Sequence, residues 1–262
     1  MNRRQLLTGA AAMTAFATTT SARAAETSRS FLEIATWRLH NSDEDQIKRV
    51  AAYLEHGLFP ALTRAGAKPI AALSTLIGPD GPSLVSIVQH ASLAAMQAAL
   101  EKVASDKEHV AASEELAAGP GMPFVTIESS LLHSLAILPE PAIPTDTATR
   151  PSRIFEMRTY ESQSMAARVK KAAMFNDGEI GVFQRLGMRP AFIGESVIGP
   201  RQPNITYMLS FDSLAEREKL WSAFGSDPEW KKISSPADLK DAKIVANISN
   251  IMLKPLPFSP LK

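Results

Sequence analysis

Cysteine is absent from all 262 residues, which excludes disulfides, thiolate metal ligands, thiol nucleophiles and lipid attachment at cysteine. Histidine is scarce: His40, His56, His90, His109 and His133 all lie in the first half, so the second half has no imidazole base of its own. Phosphate-cradling glycine loops are missing, and Gly119-Pro120-Gly121 reads as a turn. The run from Gly194 to Gly199 has one residue too many for a nucleophile elbow, so serine-hydrolase chemistry finds no support. No apolar run spans a membrane. The best candidate, Gly9 to Thr20, is short and diluted by Gly and Thr.

That short run belongs to an export signal. Asn2-Arg3-Arg4-Gln5-Leu6-Leu7 is a twin-arginine opening, and Ala22-Arg23-Ala24 offers a small-x-small cleavage site. Residues 1–24 are therefore expected to be removed, leaving a periplasmic protein delivered by the twin-arginine route and lacking any stable membrane span. Cleavage would take Arg3, Arg4 and Arg23 from the 28 basic residues, leaving 25 against 27 acidic ones. A net charge of about −2 speaks against a nucleic-acid footprint.

The strongest pattern in the chain is self-similarity. Residues 64–108 lie over 185–229 at a constant offset of 121, and thirteen of the forty-five columns are identical, among them Arg64/Arg185, Gly66/Gly187, Ser92/Ser213 and Asp106/Asp227. The period suits a small domain rather than a solenoid unit. In the second copy, 154–160 alternates as a strand, 165–186 reads as a helix interrupted near Asn176-Asp177-Gly178, and 189–197 and 205–211 read as strands. Ser213 caps the next helix, and a last strand covers 244–253. The first copy repeats this with strands at 31–39, 69–77, 84–90 and 124–135 and helices at 43–65 and 92–104.

The order β-α-β-β-α-β predicts an α+β fold of tandem ferredoxin-like repeats at 30–138 and 152–262, joined by a Pro-rich linker at 139–151. One such unit leaves a bare sheet face. Two in one chain can cover each other as a pseudo-dimeric α/β barrel, which can associate further into a homo-oligomer.

The second repeat resembles the NIPSNAP family. The matching stretches are Phe155–Tyr160, Leu186-Gly187-Met188, Ser213–Glu218, Trp221–Phe224 with Asp227-Pro228-Glu229-Trp230, and the ending Phe258–Lys262. The first repeat is a degenerate copy, with Trp37 where Tyr160 stands and Ala35 where Arg158 stands. The resemblance implies a dimeric α/β-barrel fold, shared with EthD-like proteins, antibiotic-biosynthesis-type monooxygenases and chlorite-dismutase-like haem proteins. It implies no settled reaction and no catalytic residues.

The most chemical feature is the face formed by Glu156, Arg158 and Tyr160. With Phe155 and Met157 assigned to the helix-packed side, these three are expected to point into the barrel, where Glu33 and Trp37 of the first repeat would join them. A buried charge must be paired, so the set is expected either as a structural ion-pair network or as a cavity in which Arg158 binds an anion or polarises a carbonyl. The histidine spacings fit no metal site, and no cofactor is expected. Haem could be held only by a lone axial histidine, His133 or His109. Trp221 and Phe224 are expected in the core. The functional expectation is an exported protein binding a small molecule or protein partner without established catalysis. The alternative is a small-substrate enzyme of the barrel type, monooxygenase-like or haem-assisted.

Overall fold

The computed structural model describes residues 28–79, 81–143 and 152–262. The export signal expected at residues 1–24, and residues 144–151 of the linker, lie outside the described residues. Eight antiparallel strands close into one barrel in the order β1-β3-β2-β8-β5-β7-β6-β4. In the first half these are β1 (Phe31–Arg38), β2 (Lys68–Ile77), β3 (Ser83–His90) and β4 (Thr126–Ser134). In the second they are β5 (Ile154–Glu161), β6 (Arg189–Ile198), β7 (Asn204–Phe211) and β8 (Asn247–Pro255). Within each half the strands lie fourth-first-third-second. The halves meet at two seams, β2 against β8 and β4 against β6, each holding four residue pairs where β1 and β3 hold eight.

Helices cover the outside of the barrel. Between β1 and β2 run α1 (Gln46–Tyr53), a π-helical turn (Leu54–Leu58) and α2 (Phe59–Ala65). Between β5 and β6 run α5 (Met165–Met174), a second π-helical turn (Phe175–Glu179) and α6 (Ile180–Leu186). The expected interruption at Asn176-Asp177-Gly178 falls in this second turn, where Gly178 leaves the helical backbone (φ 174°, ψ −37°) and kinks the helix. Glycine stands at the same place in both turns for a packing reason. A Cβ on Gly57 would lie 2.6 Å from Ala112 of the helix across from it, and one on Gly178 would lie 2.6 Å from Ile233.

After β3 come α3 (Leu93–Ala104) and α4 (Lys107–Ala118); the second of these was not foreseen in the sequence. After β7 come α7 (Leu214–Ser226), α8 (Pro228–Ile233) and the short α9 (Asp241–Ile244). Ser92 and Ser213 cap α3 and α7 by accepting from the backbone N–H groups of Ala95 and Glu216. Gly66 and Gly187 end α2 and α6 at φ 96° and 90°, a left-handed backbone that favours glycine.

The shared Arg and Asp of the two copies form the same clamp twice. Arg64 donates to Asp106 at 2.8 and 2.7 Å, and Arg185 donates to both oxygens of Asp227 at 2.9 Å. In each case the aspartate also caps the helix that follows it. Much of the internal identity is therefore cap and turn chemistry.

Three large apolar cores result, beside a small fourth cluster of Ala167, Met174 and Ile244. One fills the barrel with Leu32, Ile34, Ile87, Phe155, Met157 and Phe192, among others. The other two lie between the sheet and the helices of each half. The chain end closes one mouth of the barrel: Leu261 is buried in the interior core, and its N–H donates to the Ile70 carbonyl at 3.1 Å. No helix among the described residues is long and apolar enough to cross a membrane.

Candidate functional site

Both faces of β5 are buried, and the structure reverses the expected assignment of them. Phe155 and Met157 point into the barrel, while Tyr160 belongs to the core beneath the helices. In a closed barrel the apolar side of a strand can face inward, and the helices then supply the polar partners for the other side. Alternation alone cannot tell the two sides apart.

Glu156 shows what the helices supply. It is fully buried and accepts from Arg158 Nη1 at 2.9 Å, Arg217 Nε and Nη2 at 2.9 and 2.6 Å, Trp221 Nε1 at 2.8 Å and Asn250 Nδ2 at 3.0 Å. Burial alone would raise its pKa. The bonds from Arg217 and Asn250, the charge of Arg158 and the bond from Trp221 outweigh it and hold the carboxyl at about 2. Arg158 lies 4.4 Å from the centroid of the Trp221 ring, a cation–π contact. Burial works against its charge but is outweighed by Tyr207, Tyr160 and Glu156, so its pKa lies above the ordinary arginine value.

The Tyr207 hydroxyl donates to Tyr160 at 2.9 Å. In the first half the corresponding places hold Trp37 and Ser86, and Trp37 Nε1 donates to Ser86 Oγ at 3.0 Å. Beside the tyrosines, Lys171 donates to Glu179 at 2.9 Å, with Tyr160, Phe175 and Trp230 around its ammonium at 4.8 to 5.2 Å. Burial pushes the Glu179 carboxyl up, against the pull of Lys171. Lys171 is held above its ordinary value by Glu179 despite its own burial.

Glu156, Arg158 and Tyr160 are thus brought together, but not with Glu33 and Trp37. Those two lie on the helix-facing side of β1 in the other half, where Glu33 sits 3.3 Å from His90 and Trp37 packs against Tyr53 and Phe124. Glu156 pairs with its own strand neighbour and with α7, not across the barrel with Glu33. Phe224 is core as expected; Trp221 is half-buried and carries a hydrogen bond to Glu156 as well.

The cavity lies on the other face of β5. A chamber of about 200 Å³ opens at the barrel mouth opposite the chain end, and both halves line it. Its floor is apolar: Ile34, Leu132, Met157 and Ile251. Above them stands a belt of hydroxyls: Thr36, Thr75, Ser130, Thr159, Ser196 and Thr206. The sequence signal for this belt was Thr159, which continues the Phe155/Met157 face as a polar residue.

The two histidines considered for haem have side-chain partners of their own. His109 Nε2 is 2.9 Å from the Tyr53 hydroxyl. His133 lies stacked on Phe31 with Arg29 donating to its Nδ1 at 2.8 Å. Neither lines the chamber. Among the described residues, no three His, Asp or Glu side chains gather as a metal site.

Residues 155–260 match the family model described as NIPSNAP. The second half of the chain is a NIPSNAP domain. A NIPSNAP family protein of unknown function from Agrobacterium tumefaciens is 26% identical over 42% of this chain and 95% of its own, with a TM-score of 0.37. Among the structures alike over most of the chain are two proposed monooxygenases. One, from Fusobacterium nucleatum, is 10% identical, with 88% of this chain and 94% of that one covered and a TM-score of 0.56. The other, from Lactobacillus acidophilus, is also 10% identical, with 86% and 93% covered and a TM-score of 0.53. At that identity the likeness is one of fold, a mixed α/β fold around an antiparallel barrel. No curated relative matches the chain.

Proposed function

We propose that the chain is a fused pair of ferredoxin-like repeats whose joint barrel binds one small molecule in the chamber between them. The observation that carries this reading is the chamber itself: an apolar floor beneath a hydroxyl belt, built by strands of both halves. Eight-stranded barrels of this width either fill with side chains or hold one small ligand. The Glu156–Arg158–Tyr160 network lies on the opposite face of β5 from the chamber and ties that strand to the helices. The Arg3-Arg4 opening and the Ala22-Arg23-Ala24 site support export of the folded protein to the periplasm.

Native mass spectrometry of the exported protein tests this reading. A retained small molecule is expected in the wild type and absent from Thr206→Phe, whose ring would occupy the chamber. A wild type that neither carries nor takes up any small molecule overturns it. The second reading is monooxygenase-like turnover of the bound molecule, supported by the barrel fold shared with the proposed monooxygenases. It requires oxygen consumption that depends on the same chamber.

A further inference from the structure

Among the described residues that line the chamber, one buried side-chain polar atom has no hydrogen-bond partner. Ser196 is 7% exposed, lines the chamber, and its Oγ is buried without a hydrogen-bond partner. Its counterpart 121 residues earlier, Thr75, is satisfied: Thr75 Oγ1 and Ser83 Oγ lie 2.6 Å apart. In the second half the place of Ser83 is taken by Asn204, which turns away from Ser196. Its amide donates to the carbonyls of Pro200 and Arg201 at 3.0 and 3.1 Å, and its oxygen accepts from Thr206 at 3.3 Å. A buried hydroxyl without a partner costs more than the bond it lacks would contribute, so the geometry favours an occupant that supplies one.

The charges around the chamber say what kind of occupant. The hydroxyl belt contains no ionised group. The ions at its mouth answer one another: Arg38 Nε lies 3.0 Å from Glu128, and Arg201 donates to Ser249 at 2.6 Å with Glu161 4.0 Å away. A carboxylate or ammonium inside would have to shed its water with no counter-charge set aside for it, a heavy penalty. Beside the turns that frame the mouth, the ends of β2 and β6 expose Ile77 and Ile198, an apolar approach.

We propose that the chamber takes an uncharged molecule with a small apolar body and one hydroxyl or carbonyl group, hydrogen-bonded to Ser196. This rests on the reading of the chamber as a binding site.

Four probes of one shape test it by titration calorimetry: benzyl alcohol, toluene, benzoate and benzylamine. Benzyl alcohol is expected to bind, with Ser196→Ala weakening it roughly 2- to 12-fold. Ser162→Ala is the control, because Ser162 is another buried serine with an unpartnered Oγ but does not line the chamber. It is expected to leave the affinity unchanged. Benzoate and benzylamine are expected to bind at least about tenfold more weakly than the alcohol. Toluene binding as well as benzyl alcohol, or benzoate binding better, overturns the assignment while the chamber remains a binding site. So does a Ser196→Ala protein of unchanged melting temperature and unchanged affinity. If none of the four binds, this assignment falls, and native mass spectrometry of the exported protein decides separately whether the chamber binds any small molecule.

Discussion

Lys171 and Glu179 meet 2.9 Å apart beneath the second π-helical turn, and about 1% of either side chain is exposed. Glu179 cannot turn to solvent if Lys171 is removed, while Lys171 would keep Asp241 at 3.6 Å if Glu179 were. Lys171→Met or Glu179→Leu alone is expected to cost about 3–5 kcal/mol, while the double variant recovers most of that loss. Urea unfolding of the four proteins gives the coupling directly. Single variants as stable as the wild type would show that the ion pair contributes nothing.

Glu156 sets an acid limit. Its carboxyl sits at about 2 in the folded protein against an ordinary 4.5. A depressed carboxylate contributes stability that is complete above the unfolded value and is lost as pH falls through the folded one. Unfolding free energy is therefore expected to fall between about pH 4.5 and pH 2, with on the order of 2 kcal/mol traceable to this group. Glu156→Gln should be less stable at pH 7 and flatter across that window. An unchanged acid slope in the variant would contradict the assignment.

Arg158 separates structure from binding. Because it faces the helices and not the chamber, Arg158→Ala is expected to lower the melting temperature and leave the affinity for benzyl alcohol within about twofold. Arg158→Lys should recover only part of the loss, since an ammonium cannot reproduce the flat contact with Trp221. An affinity lost at unchanged stability would return Arg158 to the ligand site.

Leu261 closes the foot of the barrel and is 2% exposed. Leu261→Ala is expected to cost about 2 kcal/mol in denaturant unfolding, which is unusual for the residue next to the chain end. Deletion of residues 256–262 should cost more. It also removes the contact between Phe258 and Phe59.

The sequence made the skeleton legible and misplaced the chemistry. Strand order and turn positions could be read because the repeated Gly, Ser, Arg and Asp residues are caps and clamps, and these have local signatures. The side of β5 that faces inward could not be read, because Phe155, Met157 and Tyr160 are all buried and burial carries no direction. The partners of Glu156 were hidden for another reason. Arg217, Trp221 and Asn250 lie 61 to 94 residues away, and only the fold brings them in. Helix α4 was missed because its sequence, Lys107–Ala118, keeps just Leu116 fully buried and shows little apolar periodicity. Ser196 stood in view within Gly194–Gly199, but its missing partner becomes visible only once Asn204 has turned elsewhere.

The two seams draw together halves that the chain already tethers, with only four residue pairs at each. Were the halves separate molecules, assembly of the barrel would be second order and would fail on dilution. Tethered, they close it in a first-order step. Its integrity should then be the same at nanomolar as at millimolar protein.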